Sequence, residues 1–422
     1  MSPKNKETRQ RIILVGSVIA TIVLMVVAYY WKPLKAQWQL SLASRAFGRR
    51  DYAQSHEHLE QAIRLRPKHA ETHFRLARVY RHLDQPSRAA EHLMLAEKFG
   101  GNPQHTQREQ WLMLAQRGRI RDAAPHLGEL LATADEDQRE ICEAYVRGYL
   151  ANLRLTEAEH LLTAWTKDFP EDAEAWFLKG SFHKITSNFS EAADAYRRAT
   201  QLSPGRVETK LQLSEMLVEL RQIEENHRVL EECLTVEPDN PAVLMAWARS
   251  QQSQGDLEAA QATLQKLLKF QPKDLDAQIL SGQIALAQQS YEEAIRLLAG
   301  AIVERPHDTS ARYALANAFM ATGRTAEATP HLDFIAQAQA SMSRLEDLVV
   351  KAVDEPQNAP LRFEIGSIAW RIGPADDAAR WMLSVLELDP HHRGAHQVLA
   401  EYYKQIGQSD LALQHYQFAY PE

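Results

Sequence analysis

"EAADAYRRATQLSP" (residues 191–204) reads as a short amphipathic helix stopped by a proline. Ala192, Tyr196 and Ala199 stand four and three residues apart, one stripe of an α-helix. Pro204 has no N–H to continue the helix and pushes the residue before it out of α geometry. The pattern returns in "ENHRVLEECLTVEP" (225–238), "LEAAQATLQKLLKFQP" (257–272) and "YEEAIRLLAGAIVERP" (291–306). Farther off it recurs in "QSHEHLEQAIRLRP" (54–67) and "DDAARWMLSVLELDP" (376–390). Pro170, Pro204, Pro238, Pro272 and Pro306 are each 34 residues apart. A repeat array is therefore the first reading to test in this 422-residue chain, which has 45% apolar and 24% charged residues.

With the proline at place 32, units begin at 36, 139, 173, 207, 241, 275 and 359; units at 70, 309 and 393 fit without it. Each holds two helical patterns, as in "AEAWFLKGSFHKI" (173–185), "TSNFS" and the helix carrying Ala192, Tyr196 and Ala199. Trp176, Gly180 and His183 share a face of the first helix. The register breaks twice. Residues 104–138 form a degenerate unit, and 341–358 hold an extra helical pattern, "SMSRLEDLVVKAVDEP". Both irregular regions carry a proline near the start of a second helix, Pro125 and Pro330, which is expected to bend or delay that helix.

Trp176, Gly180, Ala192, Tyr196, Ala199 and Pro204 resemble the signature of the tetratricopeptide repeat. So do Leu76, Ala77, Tyr80, Ala89, Leu93 and Ala96, and, near the C-terminus, Leu399, Ala400, Tyr403, Ala412, Tyr416 and Ala419. The resemblance implies an all-α, right-handed superhelical solenoid of stacked helix pairs covering residues 36–422, with 139–340 its regular part and 359–422 its last two units. One pair cannot bury its apolar face alone, so units share a continuous core. Gly180 and Ala192 are expected where helices approach most closely.

The N-terminus differs. Residues 12–31, Ile12 to Trp31, hold no charge and would make a helix of about 30 Å, enough to cross a bilayer core. Tyr29, Tyr30 and Trp31 fit an aromatic belt. A cleaved signal peptide is the alternative, but no small-x-small site follows. The basic tail, residues 1–11, with Lys4, Lys6, Arg9 and Arg11, favours a cytoplasmic N-terminus and a body on the far side, as in a bacterial periplasm. The first 35 residues hold six basic residues and one acidic, so the body carries 42 against 54, which argues against nucleic acid as its partner.

Catalytic patterns are missing. There is no Gly-rich phosphate loop, no zinc-protease helix motif and no CxxC. His56 and His58 fall on opposite sides of one helix and read as solvated surface; His391 and His392 follow Pro390 in a turn. Cys142 and Cys233 fall at packing places two units apart, as small buried apolar residues. No enzyme activity, metal or cofactor is expected.

In tetratricopeptide proteins the first helices line a groove. If that carries over, the fifth place of each unit faces a partner: Leu40, Phe74, Glu143, Phe177, Leu211, Met245, Ile279, Tyr313, Phe363 and Gln397. The twelfth place adds Trp370 among others, and Arg78 and Asn317 flank the stripe. The alternative is that these side chains pack on the neighbouring helix. The Lys/Asn/Arg cluster with which some members grip C-terminal carboxylates is replaced here by Ser44, Arg78, Arg75, Ser181, Gln212 and Ala246. The expected function is a membrane-tethered scaffold that binds proteins or peptides, in envelope or complex assembly. Alternatives are a cytosol-facing receptor on an organelle membrane and, more remotely, the targeting arm of an enzyme. The last helix, with Leu411, Tyr416, Phe418 and Tyr420, cannot turn all its apolar side chains inward, so its face is expected to dock on a partner or a second copy.

Overall fold

The computed structural model describes residues 31–133, 137–373 and 375–421. Every regular element among them is a helix. The apolar segment 12–31 lies, apart from Trp31, outside the described residues. Among those described, no helix is long and apolar enough to cross a membrane.

The proline alignment locates the helices. The first helices Ala70–His82, Ala173–Ile185, Val207–Glu219, Pro241–Ser253, Leu275–Ala287, Thr309–Ala321, Ala359–Ile372 and Arg393–Gln405 start at place 1 of their units, and Gln138–Ala151 starts one residue early. Second helices such as Leu155–Asp168, Phe189–Leu202, Ile223–Val236, Leu257–Phe270, Tyr291–Glu304 and Ser409–Ala419 follow after short turns. From Ala173 to Ala321 each helix packs on the next in the chain, so the core is a run of local contacts. Many first helices are started by a side-chain cap: Asp172, Asn240, Asp274, Asp308, Asn358 and His392 each accept from a backbone N–H in the first turn.

The chain forms two bodies, one up to Leu114 and one from Ala115 onward. In the first, Leu40, Leu59, Leu76, Val79 and Tyr80 make the core, and Arg81 and Glu109 form a buried ion pair. In the second, apolar clusters succeed one another along the stack, for example Leu244, Leu264, Leu280 and Ile284, then Leu298, Leu315 and Phe319.

Gly180 lies where its two helices touch. A Cβ added there would come within 2.6 Å of the Tyr196 ring. The contact repeats: Gly282 meets Leu298 and Gly366 meets Met382, always place 8 against place 24.

The two prolines behave differently. At Pro125 the helix is broken into Ile120–Ala123, a 3₁₀ turn Ala124–His126 and Leu127–Ala132. At Pro330 it is not. Residues 325–354 form one 30-residue helix, Thr325–Asp354, so the extra pattern at 341–358 is the continuation of the preceding helix and not a separate element. Either proline deletes one i→i−4 bond. Gly128 follows Pro125 and weakens the helix further, whereas "HLDFIAQAQA" (331–340) follows Pro330 and sustains it.

Candidate functional site

Several groove residues proved to be packing residues. Leu40, Phe74, Phe177 and Ile279 are buried, as is Glu143, which accepts from Arg147. Phe177 lies against Tyr196, with the Arg206 guanidinium 4.2 Å from its ring centroid. Phe363 packs on His392 and fills the space beside Gly394. Leu211, Met245 and Trp370 are half-buried. Tyr313 is 57% exposed, and Asn317 is half-buried one turn away. Arg78 sits over the rings of Phe47 and Phe74, at 5.0 and 5.8 Å. The fifth place thus serves first as the contact between successive helices.

A large concavity lies within the second body. It has a volume of 1790 Å³, and Phe177, the twelfth-place Leu150 and the flanking Arg147 are members of the expected groove that line it. One wall comes from the units at 139, 173 and 207, with Leu150, Phe177, Leu178, Ile185 and Met216. The other comes from the 30-residue helix and the unit after it. Met342, Leu345, Val349, Ala352 and Val353 project into the cavity at spacings of three, four, three and one. That is a helical stripe, and Met342, Val349 and Val353 remain substantially exposed. The register break therefore supplies an apolar wall that a strict 34-residue repeat would not.

Charges line the cavity but most are paired. Arg147 Nη2 donates to Glu174 Oε1 at 2.5 Å and Arg206 Nη1 to Glu174 Oε2 at 2.5 Å, so the buried Glu174 ties the unit at 139 to both ends of the unit at 173. Lys184 pairs with Glu215 at 2.6 Å, and Arg154 and Arg380 pair with Glu157 and Asp377. Glu387 is different. Its Oε1 is buried without a hydrogen-bond partner. Burial pushes its carboxyl up to about 7, aided by Glu157 and opposed by Arg154, Arg362 and Arg121.

Sequence reasoning missed the hydrogen bonds made by the histidines and by the residue at place 4. His56 Nε2 meets the Tyr80 hydroxyl at 2.9 Å and His58 Nδ1 meets Gln39 Oε1 at 2.7 Å; these two are half-buried bridges to first helices, not solvated surface. In six units place 4 carries a donor for the carbonyl of the preceding proline. His73 serves Pro67, Trp176 Pro170, Gln278 Pro272, Arg312 Pro306, Arg362 Pro356 and His396 Pro390, at 2.6–3.0 Å. The chemistry is what is kept: a helix end leaves carbonyls unbonded, and any long donor six residues on can reach one. At two junctions the place-4 histidine also meets a second histidine through Nδ1, His73 with His92 at 3.1 Å and His396 with His415 at 2.8 Å. Burial pulls His415 down to about 3.

Cys142 and Cys233 are buried free thiols, pushed up by burial to about 12 and about 11, as expected of packing residues. Among the described residues no group of three His, Cys, Asp or Glu side chains is placed to hold a metal ion.

Comparison with known proteins agrees with this architecture. Residues 166–278 match the tetratricopeptide domain of cytochrome c-type biogenesis protein H, and residues 285–351 and 40–103 match two tetratricopeptide repeat families. Peroxisomal targeting signal receptors of Komagataella phaffii and Komagataella pastoris are 30% identical over 107 residues, 25% of this chain; the match spans only 19% of those receptors. Similar solved structures include a human IFIT1 dimer (16% identity, 83% of this chain and 89% of that one, TM-score 0.42). YrrB, described as a tetratricopeptide protein with an unusual peptide-binding site, shows 16% identity over 44% of this chain and 96% of its own, with TM-score 0.39. The 34-residue register, the place-8 to place-24 contacts and three family matches covering more than half the residues lead to one conclusion: the chain is a tetratricopeptide repeat protein.

Proposed function

We propose that the protein is a membrane-tethered scaffold that takes a helical or extended peptide into the cavity of its second body during assembly of a protein complex. The observation that carries this reading is the apolar stripe Met342, Val349 and Val353, held toward the interior yet left uncovered. A helix with its side chains is about 10–12 Å across and rises 1.5 Å per residue, so 1790 Å³ holds roughly a dozen residues of it. The match on residues 166–278 favours cytochrome c-type biogenesis as the assembly served. The uncharged segment 12–31, preceded by a basic tail, supports a single-pass anchor with the body outside the cytoplasm.

The test uses labelled peptides from c-type cytochromes and from their maturation proteins. One or more should bind the protein by fluorescence anisotropy, and Val349→Asp with Val353→Asp should weaken binding tenfold or more while helicity is kept. If no peptide binds, or the double variant binds unchanged, the reading fails. Full-length protein should also resist carbonate extraction; protein that washes off removes the anchor.

A second reading is a cytosol-facing receptor on an organelle membrane, favoured by the match to peroxisomal targeting signal receptors. Protease protection of the body in intact cells or spheroplasts separates the two. The C-terminal face, with Leu413, Tyr416, Phe418 and Tyr420 exposed, is offered to a second copy of the chain. Light scattering with and without Phe418→Glu and Tyr420→Glu decides it, and a monomer in both forms leaves the face as an end only.

A further inference from the structure

Most contacts in the second body join neighbours in the chain. One set does not. A Cβ on Gly118 would lie 3.4 Å from Leu383 Cδ1, on the helix Ala375–Leu388. One turn farther along that helix, Arg121 Nη1 donates to the Glu387 carbonyl at 3.5 Å. Arg117 Nη2 donates to Gln414 Oε1 at 3.4 Å. These partners are 266 and 297 residues apart, so the body closes on itself along a seam beside the cavity.

Two of the hydrogen bonds across the seam are at the limit of the range, where such bonds weaken steeply. Three buried polar atoms around it have no hydrogen-bond partner: Glu387 Oε1, Arg362 Nε and Asn152 Oδ1. Asn152 belongs to the seam because its Nδ2 donates to the Gly118 carbonyl at 2.8 Å. Each unmade bond is a cost borne by the closed form and relieved by water in an open one.

We propose that this seam opens and closes, that protonation of Glu387 holds it shut, and that the cavity is therefore a gated site. The inference concerns the seam itself and stands whichever ligand the cavity takes.

The charges facing Glu387 make the choice. Arg154 and Glu157 come from the start of the helix Leu155–Asp168, Arg362 from Ala359–Ile372, Arg121 from Ile120–Ala123 and Tyr149 from Gln138–Ala151. Three arginines would ordinarily hold a carboxylate ionised. Here Arg154 is forked on Glu157 and stacked on Tyr149 at 5.2 Å, and Arg362 gives its Nη2 to the Pro356 carbonyl. Burial therefore prevails, and the closed form keeps its proton up to about 7. An opened seam would return the carboxyl to water and to its ordinary value of 4.5. Between those two values the closed form binds the proton and the open form does not. Closure is then strongest below 4.5 and weakens as pH rises through about 7, by on the order of a hundredfold in the equilibrium constant.

The test is a distance across the seam in the full chain. Spin labels go on Arg119→Cys and Asp389→Cys, both exposed and flanking the contact. The native thiols are buried and stay unlabelled. At pH 5.5 a single short distance is expected. At pH 8.5 a longer population should appear and grow several-fold. Glu387→Gln, which cannot ionise, should keep the short distance at both pH values, and Leu383→Glu should give the long one at both. A distribution that ignores pH, or one that shifts with pH equally in Glu387→Gln, overturns the proton switch. If Leu383→Glu keeps the short distance, the seam is not where the body closes and the gate is withdrawn.

Discussion

Three glycines occupy place 8, and each faces a different side chain at place 24, which makes a graded test of the repeat contact. In a helix interior Gly→Ala alone gains about 1 kcal/mol, because alanine gives up less backbone freedom on folding. At Gly180 that gain meets three atoms of the Tyr196 ring at 2.6, 2.7 and 2.9 Å, closer than a Cβ sits beside carbon. The ring cannot yield cheaply. It is fully buried, packed on Phe177, and its hydroxyl is hydrogen-bonded to Ser181 Oγ at 3.2 Å. Overpacking of this kind costs about 1–3 kcal/mol, so Gly180→Ala should be destabilising on balance and Gly180→Leu more so. At Gly282 the obstacle is Leu298 Cγ at 2.6 Å, a branched but rotatable side chain. At Gly366 it is Met382 Cε at 2.9 Å, the mobile end of a thioether, with Trp381 Cβ at 3.0 Å. The cost should fall in the order Gly180, Gly282, Gly366. Gly300→Ala is the control: its helix position is open for 4 Å around, and the change should stabilise by about 0.5–1 kcal/mol. Because arrays need not unfold in one step, urea unfolding by circular dichroism should be read beside hydrogen exchange in Ala173–Leu202. If Gly180→Ala stabilises as Gly300→Ala does, the close approach is not real and the register argument falls with it.

Three further outcomes follow from buried polar groups. Ser214→Ala should cost about 1–3 kcal/mol by stranding Asn226, which Ser214 Oγ meets at 2.6 Å, whereas the double change with Asn226→Ala should return close to wild type in the same urea assay. Glu174→Ala should cost about 3–5 kcal/mol by leaving Arg147 and Arg206 without their shared buried carboxylate, and an equal loss from Glu208→Ala, a mostly exposed partner of Arg206, would refute that role. His415 binds its proton less readily folded than unfolded, so the last unit should loosen as pH falls from 6.5 toward about 3; His415→Phe should flatten that dependence in hydrogen exchange of Arg393–Ala419.

The fold was legible because its main determinants recur. A proline every 34 residues, small residues at fixed places and one apolar stripe per helix all report the same local geometry, and the helices begin where those signals put them. The shared donor role of place 4 escaped notice for the opposite reason. His73, Trp176, Gln278, Arg312, Arg362 and His396 share no hydrophobicity, charge or size, only a donor that reaches a carbonyl six residues back. Phe177 and Ile279 were ambiguous in the sequence because an apolar residue on a first helix satisfies two demands equally well, packing on the next helix or facing a ligand. Both are buried, and Phe177 also lines the cavity.

The cavity was the least legible feature, and the reason is physical. A repeat sequence states what each unit does to the next, and a stack built from such statements alone has no reason to meet itself. Closure has to be written in residues that depart from the pattern. The 30-residue helix runs on where a turn was due, Leu383 lies against the turn at Gly118, and Glu387 accepts burial without a partner for Oε1. Two of these are local losses: a lengthened helix with an uncovered apolar edge, and a carboxyl held far above its ordinary range. Neither is stabilising where it stands, and both border the half-open cavity of the second body. In an array whose regular units are interchangeable as packing, the departures from the repeat are what set this cavity apart from the rest of the stack.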